Sequence, residues 1–461
     1  MNQFQDTPQS TASEELSEIT MRTNKKTLST TPLKEGFDPS NTFYFSLNGS
    51  YIVDVGKHYR SYTRKTPVIA GIKRFIDLHH TNDELDEIME RIELDQAVDW
   101  QGSIAGYQRG LHDINGKSFL VMDEPVLIDS AEGVAPLLSS IISQAFPDGD
   151  ARAVFLSWLR DGVLAVRKSH HHPAPMLVMA GERSAGKSLI AFIVQQCLGG
   201  RASNPMKTWN GKTLWNDDLL RAELLLIDDS EASTDIRARR NLGANFKESI
   251  YGGNIKIQSR GKTAMDMRPV WRVMICCNET PENLAVIPPL EEGIEDKIIL
   301  LKVKKIETPM PAQSVDEKEA FSQALKDELP AFIHNLLSIE TPDHLQDNRD
   351  GVTAWKDPEL LAAINELSPE HRLECLLSLA LDKGVMNLDR GKSKYMSAAE
   401  IHALLTNRDS HTYEQARGLL SHSSACGRIL SSLVRGSSQI ITNTKVSNGI
   451  ANYEITRPPV E

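Results

Sequence analysis

Apolar spacing along the chain changes character several times, and each change predicts an element or a boundary. Residues 1–38 are rich in Ser, Thr, Asn, Gln and Glu with few large apolar side chains, which predicts a disordered tail. Between 43 and 55 two apolar runs flank Asn48-Gly49, the turn signal of a hairpin. The spacing of Ile76, Leu85, Ile88, Met89 and Ile92 predicts a helix over 73–94, and 116–128 returns to strand character. Residues 39–130 are therefore expected to form a small α+β domain. The pattern over 131–168 is helical, with Leu137, Leu138, Ile141, Ile142, Phe155, Trp158 and Leu159 as core positions. From about 176 to 305 short, fully apolar strands alternate with helical stretches, the signature of an α/β domain around a buried parallel sheet. A helical connector follows over 346–393, helical at 355–384 and linker-like at 384–396. The last segment, 394–461, patterns as helix (397–407), helix (414–433) and two strands joined by Ser447-Asn448-Gly449.

Composition narrows the class. The chain has 461 residues, 40% of them apolar and 25% charged, enough for two to four domains with real cores. No run of about 18 apolar residues occurs, and the first 20 residues lack the basic start and apolar centre of a secretory signal. Five scattered cysteines offer neither a disulfide framework nor a zinc pattern, so a reducing, cytoplasmic setting without membrane contact is expected. His79-His80 and His170-His171-His172 lack partner ligands at metal-site spacing and are read as solvated loops. With a net charge of −11, any nucleic-acid contact must come from local basic surfaces.

The chemistry is concentrated in the α/β segment. Gly181, Glu182, Arg183, Ser184, Ala185, Gly186, Lys187 and Ser188 satisfy G-x-x-x-x-G-K-[ST] between an apolar strand and an apolar helix. Glycines allow a tight turn whose N–H groups can face a phosphate chain; Lys187 would neutralise its charge and Ser188 would ligate Mg²⁺. Forty-one residues after Lys187, Leu224–Ile227 run into Asp228, Asp229 and Glu231. Asp228 suits Mg²⁺ coordination, while Asp229, with Glu231 as second candidate, could polarise an attacking water. A third strand ends in Asn278, able to hydrogen-bond a γ-phosphate without adding negative charge.

These three elements, in this order, resemble superfamily 3 helicases, in particular the helicase part of phage and plasmid primase-helicases. The stretch from Lys247-Glu248 through Gly252-Gly253 to Lys262 resembles the family's channel hairpin, which implies Lys256, Arg260 and Lys262 as nucleic-acid contacts. Residues 252–275 hold five basic residues against Asp266 alone. A solvated edge hairpin with basic gatekeepers is the alternative reading of that charge. Where the family usually places an arginine reaching into the neighbouring subunit, this chain has Lys297, which lacks the guanidinium fork. Residues 394–457, with seven basic and four acidic residues, resemble a winged helix. Its recognition helix is expected around Ala416–Leu433 with Arg417 and Arg428 facing DNA, although such modules also bind proteins. Residues 39–130 show no paired carboxylates of a polymerase site and are read as a linking or oligomerising collar.

The expected fold class is α/β: a P-loop NTPase (AAA+-like superfamily 3) core over 131–345, an α+β N-terminal domain and a C-terminal winged-helix domain. The resemblance implies an ATP-dependent DNA helicase or translocase, with ATP and Mg²⁺ as cofactors. Single-stranded DNA, other copies of the chain in a homo-hexamer, and a primase or polymerase are the implied partners. A nucleoprotein-remodelling ATPase and a nucleotide-switched DNA-binding regulator are the alternatives.

Overall fold

The computed structural model describes residues 37–76, 81–228, 236–259, 264–290, 293–311, 314–366, 368–436, 438–447 and 449–458. The tail expectation for 1–36 and the His79-His80 pair lie outside the described residues. The chain divides into two compact units, one formed by residues up to 100 with 116–119, the other by 101–115 with 120 onward. The change of unit thus falls within 100–120, not at residue 130.

In the first unit, strands β1 (Thr42–Phe45), β2 (Ser50–Asp54), β3 (Tyr59–Tyr62) and β4 (Ala97–Val98) form a sheet in the order β3-β2-β1-β4. The β1–β2 hairpin turns at the expected place, with Gly49 at φ 67°, where a side chain would be strained. Helices α1 (Lys65–Phe75) and α2 (Asn82–Leu94) bury Val68, Ile72, Leu85, Met89 and Ile92 against Tyr51 and Val53. The single helix expected over 73–94 is therefore two. Thr81 and Glu84 form a capping box that fixes the start of α2. Phe37 is buried in the same core, so order begins ahead of residue 39.

The second unit is mixed α/β around a parallel sheet. Helices α3 (Pro136–Ala145) and α4 (Gly149–Arg167) precede β5 (Met176–Gly181), which runs through a loop into α5 (Lys187–Cys197). Then come β6 (Ala202–Ser203), β7 (Leu224–Asp228), α6 (Ile236–Tyr251), the hairpin β8 (Ile255–Ile257) and β9 (Met265–Met267), β10 (Arg272–Asn278) and β11 (Ile298–Lys302). The sheet order is β11-β5-β10-β7-β6, and every neighbour pairs in parallel. All six residues of β5 are buried, as a central strand covered on both faces requires. Helix α7 (Val315–Leu337) starts at a capping box of Ser314 and Glu317 and packs Phe321, Leu325, Leu329 and Phe332 into this core.

Helices α8 (Pro358–Glu366) and α9 (Pro369–Asp382) lead to β12 (Ser393–Ser397), α10 (Ala398–Leu405), α11 (Tyr413–Leu419), α12 (Ser423–Arg435), β13 (Ile441–Ser447) and β14 (Ile450–Thr456). The three strands form an antiparallel sheet, β12-β14-β13. Two sequence expectations change here. The linker at 384–396 ends in a paired strand, and the helix expected over 414–433 is interrupted between Leu419 and Ser423. Buried Leu420 leaves helical geometry at φ −112°, ψ 86°, and His422 is extended at φ −165°. Among the described residues, no helix is long and apolar enough to cross a membrane.

Trp158 on α4 is fully buried, and its indole N–H donates to the Pro175 carbonyl (2.9 Å) just before β5. Replacing it with alanine leaves a large cavity and orphans that carbonyl. Trp158→Ala is expected to lower unfolding free energy by about 3–5 kcal/mol in urea denaturation.

Candidate functional site

Five parallel strands present their carboxyl ends on one edge of the sheet, and ligands of open α/β sheets bind outside that edge. The Gly181–Ser188 loop leaves the interior strand β5 there. Val303 and Ile306 run directly behind it: a Cβ on Gly181 would lie 2.4 Å from the Val303 carbonyl oxygen, and one on Gly186 would lie 2.6 Å from Ile306 Cδ1. Gly186 also has φ 101°, and Ser184 has φ 62°, so the loop curls through left-handed backbone twice. Ile306 N–H donates to the Ala185 carbonyl (3.1 Å) and holds the loop against the segment beneath it. Glu182, Arg183 and Ser184 remain exposed, as does Ser188 in the first turn of α5.

Lys187 folds back over this loop and is nearly buried, at 8% exposure. Its Nζ donates to the carbonyls of Gly181 (3.0 Å) and Glu182 (2.8 Å) and to Asn278 Oδ1 (3.0 Å). The last contact follows from register, because Asn278 pairs with Gly181 across β10 and β5. Two of the three sequence elements are therefore in direct contact. The third lies one strand further out: β7 pairs with β10, with Asp228 level with Cys276. Asp228 is partly exposed at its strand's carboxyl end. Asp229 and Glu231 lie outside the described residues. One hydroxyl and one carboxylate suit a cation that keeps most of its water and takes its other ligands from a phosphate chain.

Lys297 is placed differently from a reaching side chain. It precedes β11 at the opposite edge of the sheet and is 6% exposed. Its Nζ is bound by both oxygens of Asp296 (2.6 and 2.7 Å) and lies 5.4 Å from the Tyr251 ring centroid. Arg349 flanks the same ring at 5.2 Å and pairs with Asp296 (3.1 Å) and Asp350 (2.6 Å). Lys297 and Arg349 hold the Asp296 carboxyl below its usual range. Entry of Lys297 into a neighbouring subunit would first require breaking this ion pair. Next to it, Arg272 is entirely buried, its guanidinium lowered to about 10 by desolvation.

Hairpin β8–β9 leaves the sheet between β7 and β10. It carries exposed Lys256 directly opposite exposed Asp266, with Ile257, Met265 and Met267 turned inward. Arg260 and Lys262 lie outside the described residues. Sequence reading missed the loop bound to the outer edge of β8. Asn216 N–H donates to the Gln258 carbonyl (3.2 Å), Gln258 N–H to Asn216 Oδ1 (2.7 Å), and Asn216 Nδ2 to the Lys256 carbonyl (3.0 Å). This fixes Trp215, 46% exposed, and Leu214, 75% exposed, beside the hairpin. Nothing in the sequence marked these two adjacent apolar residues as facing solvent.

In the C-terminal segment Arg417 and Arg428 are exposed but sit on separate helices, α11 and α12. Among the described residues no group of three metal-ligating side chains forms; His171 and His172 are partly buried, and the ring nitrogens of His171 face the carbonyls of Pro269 (2.9 Å) and Ile250 (3.1 Å). The solvated-loop reading of His171 and His172 is therefore replaced by a packed one.

Residues 179–288, which span the loop, Asp228 and Asn278, match the model of a family of unknown function, DUF5906. No curated protein matches. Apo structures of the NrS-1 C-terminal region superpose with TM-scores of 0.50 and 0.51, covering 90% of this chain and 95–96% of theirs at 11–12% identity. At that identity the likeness is one of fold.

The crowding behind Gly181 has a measurable consequence. Gly181→Ala forces the Val303 backbone to move and is expected to cost about 1–3 kcal/mol in thermal or urea unfolding. A loss below about 0.5 kcal/mol would mean that the 303–306 segment yields freely.

Proposed function

We propose that this protein is an ATP-driven DNA helicase or translocase of superfamily 3 type, acting in replication of a phage, plasmid or other mobile element. In this reading the α/β sheet is a P-loop NTPase core and residues 394–457 are a winged helix. One observation carries it: Lys187 and Asn278, 91 residues apart in sequence, meet at 3.0 Å over the glycine loop at the carboxyl end of β5. Three neutral oxygens hold the ammonium. A phosphate chain offers charged oxygens in their place, so Lys187 is poised to exchange partners.

In the proposed cycle the Gly181–Gly186 loop and Lys187 would bind the triphosphate, and Ser188 and Asp228 would hold a magnesium ion, which would supply positive charge to offset that of the phosphates. Asp229 takes the proton from an attacking water, with Glu231 as second candidate, and Asn278 senses the γ-phosphate. Lys297 enters this scheme only if its pair with Asp296 opens. Single-stranded DNA runs along the hairpin, Lys256, Arg260 and Lys262 contacting phosphates while the Trp215 ring stacks on a base. A ring, proposed as a homo-hexamer, would line its channel with six such hairpins; a primase or polymerase partner would work alongside. Arg417 and Arg428 give the C-terminal segment a second, duplex-facing surface.

Isothermal titration of Mg-ATP into the full chain tests the core of this reading. Binding to wild type, with none to a folded Lys187→Ala variant, is expected; no heat with wild type would remove it. With turnover established, a forked-duplex assay separates unwinding from nucleoprotein remodelling, which would hydrolyse ATP without displacing a strand.

For the DNA path, Trp215→Ala is expected to weaken single-strand binding by about 5- to 150-fold, the value of about 1–3 kcal/mol of stacking. Lys256→Ala should instead lower the slope of log affinity against log salt by about 0.7, one phosphate contact on a single strand. Unchanged affinity and slope in both variants would place the nucleic acid elsewhere.

A further inference from the structure

At the carboxyl edge of the sheet stands a charged group, Lys302, that the proposed chemistry does not use. Lys302 ends β11, in register with Ala180, one residue short of the glycine loop. Its Nζ donates a hydrogen bond to Glu359 Oε2 (2.5 Å) and forms an ion pair with Glu279 Oε2 (3.1 Å), carboxylates from different parts of the chain.

Each carboxylate comes from a different segment of the chain. Glu279 directly follows Asn278, and its N–H donates to the Gly181 carbonyl (3.3 Å), the same oxygen that accepts from Lys187. Whatever draws Lys187 off that oxygen alters the only acceptor the two groups share here. Glu359 stands in the first turn of α8. That turn is fixed by Asp357, whose Oδ1 accepts from the N–H groups of Glu359 and Leu360 (3.0 Å each). The approach to α8 is also tied to β11: Leu300 N–H donates to the Trp355 carbonyl, and Asp357 N–H to the Leu300 carbonyl, both at 2.9 Å. Helix α8 leads within three residues to α9, whose Leu373, Leu376, Leu377, Ala380 and Leu381 belong to the C-terminal core.

We propose that Lys302 is a positioning residue that transmits the state of the phosphate-binding loop to the C-terminal helices, taking it from Glu279 and passing it to α8 through Glu359. This rests on the reading of Lys187 and Asn278 as a nucleotide site and names the route by which occupancy is reported. The two arms are unequal. The Lys302 and Glu279 side chains are 19% and 28% exposed, whereas Glu359 is 69% exposed. Solvent screens the Glu359 arm more, so it is the one that releases when the lysine is pulled inward. The hydrogen bond to Glu359 is the main influence raising the Lys302 ammonium above its ordinary range.

Hydrogen–deuterium exchange on the full chain, with and without Mg-ATP, tests the link. In wild type, nucleotide is expected to change amide exchange across residues 358–366 by about threefold or more, as for a sub-global opening. Lys302→Met and, independently, the surface variant Glu359→Gln should abolish that change while calorimetric Mg-ATP affinity stays within about threefold of wild type. Lys302→Arg should preserve it. Persistence of the full response in Lys302→Met or Glu359→Gln would overturn the proposal. So would heat of binding in wild type with no change at 358–366, which leaves the nucleotide site standing. Absence of any heat in wild type removes the nucleotide site itself, and the link with it.

Discussion

The alignment of β5 with β10 is the constraint on which the candidate site depends. Parallel pairing puts Asn278 level with Gly181, and a one-residue slip would turn every side chain of the strand to the other face. Both strands are buried on both sides, so no such slip is tolerated. The amide of Asn278 is thereby held within reach of Lys187, and the sharp turns at Ser184 and Gly186 bring the lysine back over its own strand end. Glycines 181 and 186 are there because Val303 and Ile306 leave no room for a Cβ. Sheet register, backbone crowding and the position of one ammonium group are a single arrangement.

Charge is distributed unequally between the two edges of this sheet. At the carboxyl edge Lys187 is surrounded by neutral oxygens, a setting that an incoming anion can improve. At the amino edge Lys297 and Arg349 pair with Asp296 and Asp350 around Tyr251, Asp350 Oδ1 having no hydrogen-bond partner among the described residues, and removing Asp296 or Arg349 would take a charge partner from buried Lys297 or Asp350. The first edge is open to exchange and the second is closed by its own pairs. A chain with a net charge of −11 thus keeps a local place where negative charge is welcome.

Much of this was legible in the primary structure, and the omissions have physical causes. The strand–loop–helix at 176–197 announced itself through an unbroken apolar run, two glycines and an amphipathic helix. Asp228 and Asn278 were legible as strand tips, but their adjacency was not, because it depends on β10 inserting between β5 and β7. The break between α11 and α12 was hidden by Leu419, Leu420, Ile429 and Leu430, which keep helical spacing across it. Strand β12 was missed because only Met396 of its five residues is buried, so no alternation marks it. The inward fold of Lys297 could not be read at all; a lysine carries no sign of being satisfied until Asp296 and Tyr251 are seen around it. Trp215 and Leu214 stood in the sequence as ordinary apolar residues until their exposure gave them meaning.

The order β11-β5-β10-β7-β6 also has a consequence for biosynthesis. Met176 pairs with Ile298, 122 positions later, and β10 closes the other side of β5 only after Met274 has been made. At about 5–20 residues per second, the wholly buried strand β5 leaves the ribosome tens of seconds or several seconds before either flank is covered. Helices α3 and α4, already synthesised, and α5, which follows at once, supply apolar surfaces of this core that can shield it in that interval. Chaperone capture of nascent chains should accordingly be concentrated in the window between the emergence of β5 and that of β11.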